Sequence, residues 1–156
     1  MEHRKFLGEA IALAEEMMTR KEGGPFGALV VREGTVVGRG WNRVTSALDP
    51  SAHAEIEAIR AACRQLGDFH LENCILYVNC EPCPMCLAAA YWAGIAGVYY
   101  AADRHDAAAI GFADQHIYEE LARPPGARTL ALHRLEHPAA LALFAKWQAM
   151  PDKILY

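Results

Sequence analysis

The sequence predicts an α/β protein in which one mixed β-sheet carries helices on both faces. Two observations support this fold class. Apolar residues recur with helical spacing near both ends of the chain, and short β-rich runs between them are bounded by turn residues. After one initial hairpin, helical and strand segments alternate, an order that is typical of a mixed sheet covered by helices on each side.

The elements in the first half of the chain are a helix, a hairpin and a second helix. Residues 6–18 show helical spacing, and Gly23-Gly24 follows as a stop. Two β-rich runs, PFGALVV and TVVGRGWN, flank the turn residues 32–34 and predict a hairpin. Asp49-Pro50-Ser51 is typical of a helix start, so we expect the second helix to run from there to about Leu66, where a glycine ends it.

The second half of the chain continues the alternation. It is predicted to contain, in order, a strand over Cys74–Val78, a helix over Pro82–Trp92, a strand over Gly97–Ala102, a helix over Asp114–Leu121, a turn over Pro124–Gly126, and a helix that begins at Pro138 and ends at Pro151. No internal repeat or low-complexity tract interrupts this order.

Length, composition and charge restrict the class of protein. The chain has 156 residues, of which 53% are hydrophobic and 22% are charged, so we expect residues 1–156 to form a single globular domain. The formal net charge is −4, with 15 Lys and Arg against 19 Asp and Glu. This mild acidity argues against a protein whose affinity depends on neutralising many nucleic-acid phosphates.

The cysteines and the apolar stretches indicate the compartment. Residues 87–102 are the most apolar stretch, but they are shorter than the roughly 20 residues of a membrane helix and contain two glycines. Glutamates interrupt the N-terminal segment, so no secretory signal pattern is visible. The five cysteines include Cys80-x-x-Cys83-x-x-Cys86, a spacing that favours metal or reactive thiols over disulfides. We therefore expect a cytoplasmic protein without membrane contact.

Two short segments carry residues suited to metal chemistry: His53-Ala54-Glu55 and Pro82-Cys83-Pro84-Met85-Cys86. Each lies where a helix is predicted to begin. Cys83 and Cys86 are three apart, so a helix places both sulfurs on one face, and the helix N-terminus favours the thiolate form. One imidazole and two thiolates suit tetrahedral zinc, and three protein ligands leave a fourth position for water. We expect one zinc ion per chain.

Glu55 is the predicted proton carrier beside that zinc. Residues two apart point roughly 200° apart around an ideal helix, so His53 and Glu55 cannot both face a metal at its side. Near the helix start, however, both can flank an ion that lies off the helix end. His53 is then a ligand, and Glu55 is left free to move protons.

These motifs carry a resemblance to a known superfamily. The pattern H-x-E…P-C-x-x-C is the signature of zinc-dependent nucleobase deaminases, and the chain resembles the cytidine deaminase-like superfamily. Within it, the sequence is most similar to the small bacterial guanine deaminases. The similar segments span nearly the whole chain: GGPFGALVV at 23–31, GWNRV at 40–44, DPSAHAEIEAIR at 49–60, NCEPCPMCLAAAYWA at 79–93, DAAAIGFADQHIYEE at 106–120, and the terminal Tyr156.

The resemblance implies a fold and an activity. The fold is a three-layer α-β-α arrangement around a mixed five-stranded sheet, with helices on both faces. The activity is the zinc-dependent hydrolysis of guanine to xanthine and ammonia. In that family the C-terminal segment, here residues 137–156, crosses to a second subunit, so the resemblance implies a homodimer with an exchanged C-terminal segment.

The resemblance also implies a role for each site residue. His53, Cys83 and Cys86 hold zinc, and Glu55 moves protons. Asp114 assists catalysis near the amino group of the substrate. The substrate-binding residues are Asn42, which hydrogen-bonds the purine, Phe26 and Trp92, which wall the pocket, and Tyr156, which closes the partner's site. One departure from the family pattern is Asn79, where a small residue such as serine is expected.

Other functions and roles stay open at this point. The same motifs occur in enzymes that deaminate adenosine in tRNA, and guanosine or cytosine are further substrates to consider. A non-enzymatic reading is a structural zinc module, in which Cys80 supplies a fourth ligand. Taken alone, Asn42 is equally typical of a turn, Phe26 and Trp92 of a core, and Asp114 of a helix cap.

Overall fold

Four strands form one mixed sheet in the computed structural model, which describes residues 2–156. The strands are β1 (Gly27–Arg32), β2 (Thr35–Trp41), β3 (Cys74–Cys80) and β4 (Gly97–Ala102). Their order across the sheet is β2-β1-β3-β4. β1 is antiparallel to both β2 and β3, whereas β3 and β4 are parallel.

Seven α-helices accompany the sheet within residues 2–156. They are α1 (Glu2–Thr19), α2 (Val44–Ala47), α3 (Ala54–Leu66), α4 (Pro84–Trp92), α5 (Arg104–Ala109), α6 (Asp114–Ala122) and α7 (Pro138–Ala149), and a 3-10 turn covers Pro125–Ala127. The chain divides into two units, Met1–Glu119 and Glu120–Tyr156. None of the helices in residues 2–156 combines the length and the hydropathy that crossing a bilayer requires.

The predicted hairpin is confirmed between β1 and β2. The two strands are joined by Glu33 and Gly34, whose φ angles are 49° and 75°. Two consecutive residues with positive φ are typical of the two-residue hairpin turn whose twist matches that of the flanking strands. The turn sets the register in which Arg32 pairs with Thr35, and a one-residue register shift between Val30 and Val31 then brings Gly27, at the start of β1, opposite Trp41 at the end of β2.

Helices cover both faces of the sheet in the first unit. On one face, α1 buries Phe6 and Ala10 against Leu29, Val31 and Tyr77. On the other face, α3 and α4 pack small side chains against the strands, and this core contains Ala28, Val30, Val37, Ala54, Ala58, Ile59, Ala62, Leu71, Cys74, Leu76, Val78, Ala90 and Ala93. The two cores make the unit a three-layer α-β-α arrangement, as predicted.

Glycines allow α3 to lie very close to β2. A Cβ added at Gly40 would lie 2.1 Å from the carbonyl oxygen of Ala54 and 2.3 Å from the nitrogen of Ala58. A Cβ added at Gly38 would lie 2.3 Å from the carbonyl oxygen of Ala58. Because these neighbours are backbone atoms that cannot rotate away, only glycine permits this separation. The close approach places the first turn of α3 directly against the sheet.

The predicted count of five strands is wrong, because residues 2–156 contain four. The four β-rich runs visible in the sequence account for all four strands, and the fifth was implied by the resemblance alone. Residues 128–137, which follow the 3-10 turn, form neither helix nor strand in the single chain. A strand needs a hydrogen-bonding neighbour, and within this chain that segment has no strand partner.

Two predicted helix starts are also corrected. The second helix begins at Ala54, not at 49–51, because the Asp49 carboxylate accepts hydrogen bonds from the Ser51 nitrogen and hydroxyl at 2.8 and 2.7 Å and closes a local turn. The helix predicted from Pro82 begins at Pro84. Short helices α2 and α5 were not predicted, since each is shorter than two turns and shows no sequence periodicity.

Candidate functional site

Side chains from α3 and α4 meet in a cluster of one histidine and two cysteines. The Nδ1 atom of His53 lies 3.5 Å from the Sγ atom of Cys83 and 3.5 Å from the Sγ atom of Cys86. One ligand atom from each of the three residues lies within 4.8 Å of the others. The structure therefore brings together all three residues that the sequence proposed as metal ligands.

Helix termini position these groups. His53 is the N-cap of α3, and Cys83 is the N-cap of α4, with Pro84 at the first helical position. Cys86 follows in the first turn of α4, so both sulfurs face the same way. A helix N-terminus carries partial positive charge and favours thiolate over thiol. The cluster thus lies at the ends of two helices, as the sequence predicted.

The thiol and imidazole groups of the cluster shift one another's pKa values. A hydrogen bond from the Cys86 thiol lowers the pKa of Cys83 to about 4. The same contact, together with burial, raises the pKa of Cys86. The hydrogen bond with Cys83 also raises the pKa of His53. Two sulfurs and an imidazole nitrogen thus compete for protons at one point, which is a situation that a cation bound by all three would relieve.

The donor set fits zinc. Sulfur and imidazole nitrogen are the ligands that tetrahedral zinc prefers, and both cysteines are buried. Cys80, the alternative fourth ligand, does not belong to the cluster. Its thiol instead donates to the carbonyl oxygen of Asp103 at 3.5 Å, and burial raises the pKa of this thiol to about 11. A high pKa disfavours the thiolate that would bind metal. The arrangement is thus a three-ligand site that is open on one side.

Glu55 is a buried carboxyl group beside this cluster. It lies in the first turn of α3, and only 6% of the residue is exposed. Burial raises the pKa of Glu55 to about 7. A carboxyl group with a pKa near neutrality can both accept and release a proton at physiological pH, which is the property of a general acid and base.

A cavity of about 360 Å³ opens onto the cluster. This volume suits a small ligand. The residues that line it come from strand ends, helix starts and the loops between them: Gly24, Phe26, Asn42, Val44, Thr45, Pro50, His53, Glu55, Cys80, Glu81, Cys83, Phe112 and Asp114. Most of the surface that faces the cavity is apolar, and a few polar side chains interrupt it.

Asn42 presents an oriented amide to this cavity. Its Oδ1 atom accepts hydrogen bonds from the backbone nitrogens of Gly24 at 3.1 Å and Val44 at 3.2 Å. Because the oxygen is held by two backbone donors, the amide nitrogen is the group left to donate to a ligand. The loop before β1 has no room for a side chain at Gly23, since a Cβ added there would lie 2.5 Å from the Asn42 Oδ1.

Two aromatic rings and one carboxylate complete the cavity wall. Phe26 and Phe112 pack edge to face, with ring centroids 4.7 Å apart. Asp114, at the start of α6, lines the same cavity, and burial raises its pKa. The sequence proposed Phe26 and Asp114 but missed Phe112. The GFAD segment could have indicated Phe112, because this aromatic residue lies between a glycine and the start of a helix. That glycine, Gly111, has a positive φ of 98°.

Two proposed substrate-binding residues do not line this cavity in the single chain. Trp92 is the last residue of α4, and 68% of it is exposed. Tyr156 belongs to the second unit, where 78% of it is exposed. Their predicted roles stay predictions.

Comparison with known families identifies the type of site. Residues 1–102 match the family described as the cytidine and deoxycytidylate deaminase zinc-binding region. The matched range contains the three cluster residues and Glu55. A zinc-binding family and a His/Cys/Cys group of suitable geometry together indicate a single zinc ion.

Individual relatives extend the similarity beyond that region. The chain is 46% identical to a guanine deaminase of Bacillus subtilis over 156 residues, which is all of both chains. The crystal structure of that enzyme superposes with a TM-score of 0.96, covering 100% of this chain and 99% of that one. A guanine deaminase from Nitrosomonas europaea has 31% identity and a TM-score of 0.68, covering 93% of this chain and 84% of that one.

A second type of relative matches only part of the chain. A tRNA-specific adenosine deaminase of Aquifex aeolicus is 42% identical over 93 residues, which are 59% of this chain and 62% of that enzyme. The solved structure of a tRNA:A34 deaminase is 34% identical and superposes with a TM-score of 0.65, covering 85% of this chain and 98% of that one. Neither match covers the whole of this chain, whereas the similarity to the Bacillus subtilis enzyme does and includes the C-terminal unit.

Proposed function

The chain belongs to the cytidine and deoxycytidylate deaminase zinc-binding family, and on that premise we propose that it catalyses the zinc-dependent hydrolysis of guanine to xanthine and ammonia. The observation that carries the proposal is that two members of the His/Cys/Cys cluster, His53 and Cys83, line one cavity together with Glu55 and Asn42. Metal ligands, a proton carrier and a base-recognising amide are thereby within reach of one small substrate.

His53, Cys83 and Cys86 are the residues that would hold zinc. When bound there, zinc would activate water as a nucleophile at neutral pH. As the hydroxyl adds to the ring carbon, the carboxylate of Glu55 accepts one proton from the water and delivers it to a ring nitrogen, where it stays. Glu55 then carries a second proton, from the added hydroxyl group, to the departing amine, and the carbonyl group of the product forms. Water adds to the ring carbon that carries the amino group, the carbon–nitrogen bond breaks, and the products are xanthine and ammonia.

The cavity wall accounts for recognition of a planar base. The amide nitrogen of Asn42 donates to an acceptor atom on the base, since its oxygen is held by the backbone of Gly24 and Val44. The rings of Phe26 and Phe112 supply an apolar surface for the base. Asp114 lies at the same cavity, where its carboxyl group assists near the amino group that leaves.

Guanine is favoured over the other substrates by how far each similarity extends. The similarity to the Bacillus subtilis guanine deaminase covers the whole chain, whereas the similarity to the Aquifex aeolicus tRNA-specific enzyme covers 59% of it. The formal net charge of −4 also disfavours a surface that holds an anticodon arm. We therefore rank guanine first and adenosine in tRNA second.

One assay tests this ranking. The zinc-loaded protein is incubated with guanine, guanosine, adenine, cytosine, cytidine and tRNA in turn, and ammonia release is measured. We expect guanine to react fastest. Turnover of tRNA alone would make the chain a tRNA deaminase. About one zinc ion per chain with no turnover of any compound would instead support a structural zinc module.

We also propose that the chain forms a homodimer in which residues 137–156 are exchanged and Tyr156 closes the partner's cavity. The second unit leaves much apolar surface in water: α7 contains no buried residue, and Leu135 is 89% exposed. Leu141, Phe144 and Leu155 are exposed as well. Exposed apolar area on this scale is typical of a surface that another chain covers. These exposed residues begin before position 137, so the buried interface would start nearer Leu130.

A cytoplasmic location is part of the same proposal. All five cysteines of the chain are unpaired, and two of them must be reduced to bind zinc. A reducing compartment keeps them in that state. Fractionation of cells that produce the protein would test this location.

A further inference from the structure

A side-chain clamp holds the segment that carries Phe26. Asn79, in β3, accepts a hydrogen bond at Oδ1 from the nitrogen of Gly27 at 2.9 Å. Its Nδ2 atom donates to the carbonyl oxygen of Pro25 at 2.8 Å. The two bonds span Phe26 from one side to the other. One amide thus fixes the backbone immediately before and after a residue that walls the cavity.

The position of this clamp follows from the sheet. The β1–β3 ladder ends at the pair Ala28 and Val78, so the next residues, Gly27 and Asn79, lack the regular backbone pairing on this side. The Asn79 amide offers one donor and one acceptor, as a backbone peptide group does, and therefore continues the ladder for one more step.

The other side of the segment is tied to a substrate-binding residue. The backbone nitrogen of Asn42 donates to the carbonyl oxygen of Phe26 at 3.0 Å. Phe26 is thus held between Asn42 on the β2 side and Asn79 on the β3 side. Asn79 itself does not line the cavity within the described residues 2–156. The hydrogen bonds of the Asn79 side chain therefore connect it to the cavity through the backbone of residues 25–27.

We propose that Asn79 is a positioning residue that sets the place of the Phe26 ring and thereby the affinity for a planar base. This inference takes its substrate from the proposed function, whereas the geometry of the clamp does not depend on that function. Loss of the clamp frees the Phe26 segment to move. The Phe26 ring is then no longer held in the position that binds the base, so the affinity for the base falls. Glu55 and the metal ligands lie on α3 and α4, outside the clamp, so the chemical step is affected much less.

Steady-state kinetics with guanine test the proposal. Asn79→Leu removes both hydrogen bonds at similar size, and we expect KM to rise about ten-fold while kcat changes little and zinc content is unchanged. Asn79→Asp keeps the acceptor for Gly27 but loses the donor to Pro25, and we expect a smaller rise in KM. Asn73→Asp, an exposed asparagine outside the clamp, is the matched control and keeps the wild-type KM.

A double-mutant cycle shows whether the effect passes through Phe26. In a Phe26→Ala background, Asn79→Leu should raise KM no further, because the ring that it positions is absent. If the double variant instead raises KM by the product of the two single-variant increases, the proposal is overturned. A lowered zinc content in Asn79→Leu would also overturn it, since Asn79 would then act on the neighbouring cysteines.

Amide hydrogen exchange measures the clamp without any substrate. In Asn79→Leu, the Gly27 amide should exchange faster than in the wild type, and exchange at the core residue Leu76 should stay the same. Unchanged exchange at Gly27 would overturn the clamp. If the wild-type protein does not turn over guanine at all, the proposed function fails, and the exchange result still decides the role of Asn79.

Discussion

The Nδ1 atom of His53 and the Sγ atom of Cys83 lie 3.5 Å apart, although 30 positions separate the two residues in the chain. Each residue is the N-cap of its helix. An N-cap residue lies at the start of its helix, so two helices whose N-termini lie close together can direct ligands to one point. Glu55, in the first turn of α3, then lies beside that point without being a ligand.

Replacement of the proposed proton carrier should separate catalysis from zinc binding. In Glu55→Gln we expect kcat for guanine to fall by about 10²–10⁴-fold, because the amide cannot accept the proton from water. Zinc content should stay at the wild-type level, since Glu55 is outside the three-residue cluster. The matched control is Glu57→Gln, on the same helix but outside the cavity lining. Near wild-type turnover by a zinc-loaded Glu55→Gln protein would exclude this role.

Two cysteine substitutions distinguish a three-ligand site from a four-ligand one. Cys83→Ser should lower zinc content well below that of the wild type, because the serine hydroxyl is a poor zinc ligand. Cys80→Ser should keep its zinc, since the Cys80 thiol contacts the carbonyl of Asp103 instead of the cluster. Zinc per chain is measured by elemental analysis after extensive dialysis. Equal loss in both variants would indicate a structural four-ligand site.

Tyr118 should stabilise the segment that precedes Cys83. Its hydroxyl donates to the carbonyl oxygen of Pro82 at 2.8 Å, and the Arg104 guanidinium lies 4.4 Å from the centre of its ring. Tyr118→Phe removes one hydrogen bond, a net loss of about 0.5–1.5 kcal/mol, and should speed the loss of zinc to a chelator several-fold. Tyr91→Phe, at an exposed tyrosine, is the control. Identical chelation rates in both variants would count against the proposed role.

Two glycine-to-alanine substitutions should have opposite effects on stability. Gly40→Ala places a methyl group 2.1 Å from the Ala54 carbonyl oxygen, so α3 must move away from β2 at a cost of about 1–3 kcal/mol. Gly8→Ala, in α1, meets no atom within 4 Å and should stabilise the protein by about 0.5–1 kcal/mol. Denaturant unfolding at equal zinc loading measures both. A neutral Gly40→Ala would mean that the close packing is readily relieved.

Exchange of the C-terminal segment predicts complementation between two inactive proteins. One carries Glu55→Gln, and the other lacks Tyr156. After joint unfolding and refolding, some mixed dimers should combine a wild-type Glu55 with a Tyr156 from the other chain and regain activity at that site. The controls are the two parent homodimers, each refolded alone. If mixed dimers form and both parents are inactive, yet no activity returns, Tyr156 does not act in the partner's cavity.

Local patterns in the sequence were sufficient for the four strands and for the chemical identity of the metal site. Strands are visible because β-rich runs and turn residues depend on neighbours along the chain. The pair of cysteines three apart and the histidine two before a glutamate predict ligand and base for the same reason. The glycine at position 67 also predicts the end of α3, since glycine readily adopts the left-handed conformation there.

Only the tertiary structure decided which distant residues share a cavity. The contact between Phe112 and Phe26 could not be predicted from local sequence, because it joins segments that are far apart in the chain. The Asn79 clamp could not be predicted either, because it depends on where the β1–β3 ladder ends. The start of α3 at Ala54 also depended on the tertiary structure. The hydrogen bond from the Ser51 hydroxyl to the Asp49 carboxylate holds residues 49–51 in a turn, so the helix does not begin there. Periodicity reports one chain's local energies, whereas a site is assembled from contacts between segments that are far apart in sequence.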